Sequence, residues 1–234
     1  MTVQARGFTL SSQIYPPVSG LVFDMDGLLF DSERVVQRSW EWAGQKLGYE
    51  HFGSHIYHTI GFNVKRREMY FKENVSPSFP MGKFTDMTRK RYHDIIESEG
   101  LEKKPGAEEI LKYASAQGYR IALATSSRRE HASDMLKRQG LMEYFQGAVY
   151  GDMVSEGKPS PEIYRRACLE IQVEPRYALA LEDSPAGIRS ACSAGMRAII
   201  IPDLVEPDAE ILGLAWRRYD SLWDVLELLK AGEN

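Results

Sequence analysis

Short apolar runs alternate with helix-patterned stretches along most of the chain. Leu21-Val22-Phe23 predicts a strand at 20–24, and Tyr119-Arg120-Ile121-Ala122-Leu123-Ala124 a second. Ala148-Val149-Tyr150, Ala178 to Leu181 and Ala198-Ile199-Ile200-Ile201 predict three more. Between them the apolar period changes from 2 to about 3.6. Ala107, Ile110, Leu111 and Ala114 line one helix stopped by Gly118, and a helix at 129–139 ends at Gly140. Ser160-Pro161 predicts a helix start with serine at the N-cap and proline at the first position. Residues 185–194 form a helix closed by Gly195, and Trp223, Leu226 and Leu229 line a last one. Strands too short and too apolar to face water, each followed by a helix, mean parallel βαβ units with both sheet faces covered. The expected fold class is α/β with a doubly wound parallel sheet.

One block breaks the rhythm. From Glu33, the positions Val36, Trp40, Ala43 and Leu47 are spaced for a helix that Gly48 closes. Residues 50–104 show no strand and are broken at Gly61, Pro77, Pro80 and Gly82, which predicts several short helices. The expected division is therefore a leader at 1–17, an α/β core at 18–32 and 105–234, and a helical insertion at 33–104.

Composition narrows the class. In 234 residues, 43% hydrophobic and 26% charged, there is enough apolar material for a substantial core. A net charge of −4 gives nothing global to recruit nucleic acid or an anionic membrane, and no apolar run approaches a membrane span. The first twenty residues lack the apolar core of a signal peptide. Cys168 and Cys192 sit in helical segments among small or apolar residues and read as buried free thiols, which suits a reducing cytoplasm. A monomer is the expectation.

Ligands of such sheets bind beyond the carboxyl ends of the strands. After the first strand come Asp24 and Asp26, and after the second Thr125-Ser126-Ser127. Beyond the third lies Lys158-Pro159, and after the fourth Glu182-Asp183-Ser184. Each stretch alone also fits a turn or a helix cap. Their recurrence at four successive strand ends selects chemistry. Hard carboxylate oxygens suit Mg²⁺, while an ammonium and hydroxyls suit phosphoryl oxygens.

Asp24-Met25-Asp26-Gly27, Thr125-Ser126, Lys158-Pro159 and Glu182-Asp183-Ser184-Pro185-Ala186-Gly187 resemble, in order, the four motifs of the haloacid-dehalogenase-like (HAD) hydrolases. The insertion resembles the α-helical cap of the subgroup that holds β-phosphoglucomutase and many small-metabolite phosphatases, set on a Rossmann-like core. The resemblance implies an aspartyl-phosphate on Asp24 and acid–base work by Asp26. It implies Mg²⁺ held by Asp24, the Asp26 carbonyl and Asp183, with Glu182 as a ligand or a support. Thr125, the Ser126 N–H and Lys158 would hold the transferring phosphoryl group. The expected substrate is a small phosphorylated metabolite, a sugar phosphate or nucleotide-like compound.

Departures from the pattern discriminate among activities. Dehalogenases lack the second aspartate that this chain has at Asp26. β-Phosphoglucomutases carry a threonine-x-x-x-histidine element and a cap-loop arginine, where this chain has Ser32, Val36 and Val64. Hydrolysis is therefore expected over mutase chemistry, with a non-catalytic binding protein as the reading from another class. Glu33 and the 61–67 segment are the candidate selectivity positions, with Lys65 the candidate substrate contact. His51, His55 and His58 have no cysteine or close acid to complete a metal site and read as packing or solvated groups. Trp40 and Trp42 read as insertion core, and Arg128 as a surface residue or a phosphate neighbour.

Overall fold

The structure, a computed structural model, describes residues 16–232. The leader expected at 1–17 lies outside the described residues except for Pro16 and Pro17. Six parallel strands form one sheet: β1 (Gly20–Phe23), β2 (Arg120–Thr125), β3 (Gly147–Tyr150), β4 (Ala178–Glu182), β5 (Arg197–Ile200) and β6 (Arg217–Arg218). Their order is β3-β2-β1-β4-β5-β6, with β1 in the middle between β2 and β4.

Strand alternation sorts the apolar residues into two layers. Leu21, Phe23, Ile121, Leu123, Leu179, Leu181 and Ile199 pack into one buried cluster. It is shared with α4 (Ala107–Ala116), α5 (Arg129–Arg138) and α9 (Leu222–Ala231). Val22, Ala122, Ala124, Ala178, Ala180, Ala198 and Ile200 face the other cluster, with α6 (Glu162–Glu170) and α7 (Pro185–Ser193). The alanines on that face leave room for the two helices to lie close against the sheet.

Between β1 and β2 run α1 (Ser32–Leu47), a 3₁₀ helix (Phe52–His58), α2 (Val64–Asn74) and α3 (Met81–Glu99). They enclose a separate aromatic cluster of Trp40, Phe52, Phe71, Phe79 and Phe84. Its rings meet at centroid distances near 5 Å, as in Trp40–Phe71 at 5.3 Å and Phe52–Phe84 at 4.9 Å. The two segments joining this block to the sheet pair with each other: Asp31 N–H donates to Glu102 O and Lys104 N–H to Leu29 O.

Some boundaries differ from the sequence pattern. The expected run of short helices ends in one of 19 residues, α3, because Gly82 falls in its first turn and does not break it. The α6 helix starts at Glu162 and not at Pro161, although the Ser160 hydroxyl still accepts the Glu162 N–H at 3.4 Å. Trp223 faces out, and the buried residues of α9 are Leu222, Val225, Leu226, Leu228 and Leu229. The short helix α8 (Ala209–Leu214) and the two-residue β6 have no apolar period long enough to read. Cys168 is buried and Cys192 half-buried, and both are free. Among the described residues no helix is long and apolar enough to cross a membrane.

Phe71 is fully buried at the centre of the insertion's ring cluster. Phe71→Ala is expected to cost about 3–5 kcal/mol in denaturant unfolding. A loss below about 1 kcal/mol would contradict the packing.

Candidate active site

β1 ends in a tight turn that carries the buried Asp24 and the half-buried Asp26. Gly27 holds φ at +81°, and the amides of Leu28, Leu29 and Phe30 all turn back on the Met25 carbonyl. A Cβ at Gly27 would sit 2.2 Å from Asp183 Oδ2, so the position is bare both for its backbone and for the neighbouring carboxylate.

Lys158 links three strand ends. Its side chain is 1% exposed, and its ammonium donates to Asp24 Oδ1 and to Glu182 Oε1, each at 2.5 Å. Glu182 is wholly buried and all its contacts are accounted for. Oε1 also accepts from the Tyr164 hydroxyl at 2.5 Å, and Oε2 accepts from Ser184 N and Oγ. Ser184 in turn caps α7 by accepting the Gly187 N–H at 3.0 Å, so helix cap and site are one network. A Cβ at Gly187 would strike the Glu182 carboxyl at 1.9 Å, which explains glycine there.

Asp183 is the complement of this saturation. It is buried, and its Oδ2 has no hydrogen-bond partner. Asp24, Glu182 and Asp183 each offer an oxygen within 4.8 Å of the others, and among the described residues they are the acidic and thiol/imidazole side chains gathered closely enough to share a cation. Three carboxylates with one unpartnered oxygen and only hard donors fit Mg²⁺. With both of its oxygens already accepting, Glu182 is better placed to hold Lys158 than to ligate.

The charges strain one another. Burial pushes the Asp24 carboxyl up to about 8, with Glu182 and Asp26 adding to the rise and Lys158 opposing it. Burial, then Asp24 and Glu182, push Asp183 well above the usual carboxylate range. Burial alone would lower the Lys158 ammonium, but Asp24 and Glu182 outweigh it and hold it above its ordinary value.

Asp26 is oriented by two hydroxyls: Ser32 donates to Oδ1 and Ser127 to Oδ2, both at 2.7 Å. Thr125 is fully buried, its Oγ1 accepting the Ser127 N–H at 3.0 Å. Ser126 Oγ donates to the Gly61 carbonyl at 3.0 Å, and Arg66 donates to the Lys158 carbonyl at 3.1 Å. The 61–67 segment therefore meets the second and third motifs directly. The structure thus brings Asp24, Asp26, Thr125, Ser126, Lys158, Glu182 and Asp183 together.

Lys65 is the exception. It is exposed on α2, and the side chain turned toward Glu33 and Asp26 is that of Arg67. Asn63 caps α2 by accepting the Arg66 N–H, which fixes the helix phase. Residues 65 and 67 then differ by about 200° around the axis, on opposite faces. Arg67 lies over Trp40 at 5.2 Å and keeps a buried Nε without a partner. The Tyr92 hydroxyl is another such atom. Burial and then Asp26 push Glu33 up to about 8, opposed by Arg67. Tyr164 is a site residue without a sequence signal of its own, whereas Ser127 lies in the hydroxyl cluster after β2, Ser32 at the position compared with the mutase threonine, and Arg67 in the 61–67 segment. His55 bonds Tyr70 at 3.1 Å and packs on Phe52, and Arg128 is exposed, as surface and packing readings require.

The parallel sheet, the four loops at its carboxyl edge and the helical insertion after β1 define a hydrolase of the HAD-like class. Residues 21–201 match the family described as haloacid dehalogenase-like hydrolase, and the chain belongs to that family. It is 30% identical over 185 residues to the phosphorylated carbohydrates phosphatase of Thermotoga maritima, covering 78% of this chain and 84% of that one. The crystal structure of CbbY from Rhodobacter sphaeroides with phosphate is similar at a TM-score of 0.74 and 28% identity, covering 92% of this chain and 98% of CbbY. A second CbbY structure, of a mutant with xylulose-(1,5)bisphosphate, also scores 0.74 and 28%, covering 88% and 95%.

Asp24 gives a pH signature without metal. Its native carboxyl keeps a proton from its ordinary 3.8 up to about 8, where the unfolded chain has lost it. The stability it supports is complete below 3.8 and is lost as pH rises through about 8. In chelator, Asp24→Asn should melt above wild type at pH 8.5, with the gap closing toward pH 4. A gap that is constant with pH would contradict the strained carboxylate.

Proposed function

We propose that this chain is a Mg²⁺-dependent phosphatase of small phosphorylated metabolites, working through an aspartyl-phosphate on Asp24. The observation that carries the reading is the buried Lys158 ammonium shared by Asp24 and Glu182, beside the unpartnered Asp183 Oδ2. Asp24, Asp183 and the Asp26 carbonyl would hold the cation, with Glu182 supporting through Lys158. Bound Mg²⁺ supplies positive charge that offsets the repulsion between a carboxylate and a phosphate dianion.

An Asp24 carboxylate oxygen attacks phosphorus, and the bond from phosphorus to the leaving oxygen breaks. Asp26, aimed by Ser32 and Ser127, gives that oxygen its proton. The same carboxylate then takes a proton from the water that attacks the phosphorus of phospho-Asp24, releasing inorganic phosphate and restoring Asp24. Lys158 and the Thr125 hydroxyl, which still has a proton to donate, stabilise the phosphoryl oxygens along with the Ser126 N–H. The insertion acts as a cap that excludes water and selects the leaving group.

Glu33, Arg67 and Tyr92 stand on three different insertion helices near Asp26, where the leaving group departs. A guanidinium Nε and a phenol without partners, next to a carboxyl, suit a hydroxylated leaving group that carries a second anion. The T. maritima relative acts on phosphorylated carbohydrates by name, and CbbY binds a bisphosphate. Mutase chemistry is not favoured: the Ser32 hydroxyl is committed to Asp26, and Val64 is exposed. A non-catalytic role fits poorly with a complete and electrostatically costly site. A monomer working in the cytoplasm completes the proposal.

Hydrolysis of an aryl phosphate should require Mg²⁺, and Asp24→Asn should lower kcat by at least about 10³-fold while the fold is retained. Turnover retained by that variant would overturn the nucleophile. Arg67→Gln should raise KM about tenfold or more for sugar bisphosphates, with a much smaller change for the aryl phosphate. Equal changes for both substrates would remove Arg67 from leaving-group recognition.

A further inference from the structure

A fifth strand end also delivers an acid. β5 runs on through Ile201 and Pro202 to Asp203, whose side chain is 1% exposed. Asp203 Oδ1 accepts from Arg34 and from Lys104, each at 2.7 Å. Its Oδ2 is buried with no partner, the same condition as Asp183 Oδ2. A Cβ at Gly27 would lie 2.2 Å from the Asp183 oxygen and 3.5 Å from the Asp203 oxygen. Both lone oxygens therefore border the bare α-carbon of Gly27. Two buried carboxylate oxygens without donors, both within 3.5 Å of one position, are costly unless positive charge comes between or beside them. Asp203 stands outside the tight group of Asp24, Glu182 and Asp183, so it acts on a cation from beyond the ligands themselves.

The other half of Asp203 faces the junction of the insertion. Arg34 opens α1 and also pairs with Asp31, while Lys104 lies on the returning segment, 4.0 Å from the same Asp31. These are the two segments whose backbones pair through Asp31–Glu102 and Lys104–Leu29. One carboxylate thus serves two cationic side chains on one oxygen and the candidate cation site on the other.

We propose that Asp203 is a positioning residue that couples the divalent-cation site to the junction of the helical insertion. The inference rests on the cation reading of Asp24 and Asp183 given above. A bound Mg²⁺ and the pair Arg34 and Lys104 draw on a single negative charge. Linkage then fixes the signs: removing the Asp203 charge weakens Mg²⁺ binding, and removing either junction charge strengthens it. A salt bridge that merely braced the fold would do the opposite in the second case, because loosening the brace would disorder the site.

The test is calorimetric titration of Mg²⁺ alone into metal-free protein at pH 8 and about 0.1 M salt, with no substrate present. Asp203→Asn is expected to raise Kd by about 3–10-fold, and Arg34→Gln and Lys104→Gln each to lower it by about 2–5-fold. An unchanged Kd in Asp203→Asn, or unchanged or weaker binding in both junction variants, overturns the coupling. If Asp203→Asn does not fold, as judged by circular dichroism, the two junction variants decide by the same signs. Wild-type protein that binds no Mg²⁺ overturns the cation reading beneath this inference, whereas wild type that binds while the signs fail overturns the inference alone.

Discussion

The Lys158 ammonium, buried between Asp24 and Glu182, is the interaction on which the rest of the site depends. A buried ion pair is weak evidence for stability, since desolvation can exceed the attraction. Here the balance is worse than a pair: the single buried ammonium faces Asp24 and Glu182 directly, with Asp183 beside them. Evolution of stability alone would replace such a group with apolar side chains. Its retention is understandable if the missing positive charge arrives with a cation and the negative charge that follows is a phosphoryl group. The strain that pushes Asp24 and Asp183 upward is then the unbound half of a charge balance.

The fold serves this balance by placing every contributor at one edge. Because the strands are parallel, β1, β2 and β4 all release their loops on the same side, and the fully covered sheet makes their ends rigid. Helix α7 approaches Glu182 closely through Gly187, and its cap residue Ser184 fixes the same carboxylate. The helical insertion then meets this edge through polar contacts, Ser126 to Gly61 and Arg66 to Lys158, while its ring cluster packs against Leu204 and Val205 of the loop after β5. Val35 of α1 and Tyr92 and Ile95 of α3 also join the apolar cluster packed against the sheet.

Most of this was legible along the chain wherever chemistry follows directly on an apolar run. Thr125 and Glu182 end β2 and β4, Asp24, Asp26 and Asp183 come just after a strand, and Lys158 lies in the loop beyond β3; strand ends in a parallel sheet converge whatever the intervening sequence. What depends on rotation or on distant packing was not legible. Tyr164 lies among Ile163, Ala167 and Cys168 and reads as core, yet its hydroxyl ends on Glu182. Lys65 and Arg67 are chemically alike, and only the phase set by Asn63 decides which one turns inward. Asp203 carries no signal in the sequence, and only the bare Gly27 and the partners Arg34 and Lys104 around it bring it into view. Sequence period gives the elements, and tertiary contact gives the second layer of the site.

The most direct measurement is of which carboxylate carries phosphorus. Protein incubated with Mg²⁺ and a sugar bisphosphate can be quenched in acid and reduced with borohydride, which converts an acyl-phosphate into an alcohol identifiable by peptide mass. The account predicts the reduced side chain at residue 24 alone. Modification at Asp26 or Asp183, or turnover of substrate with no acyl-phosphate at any carboxylate, would contradict it.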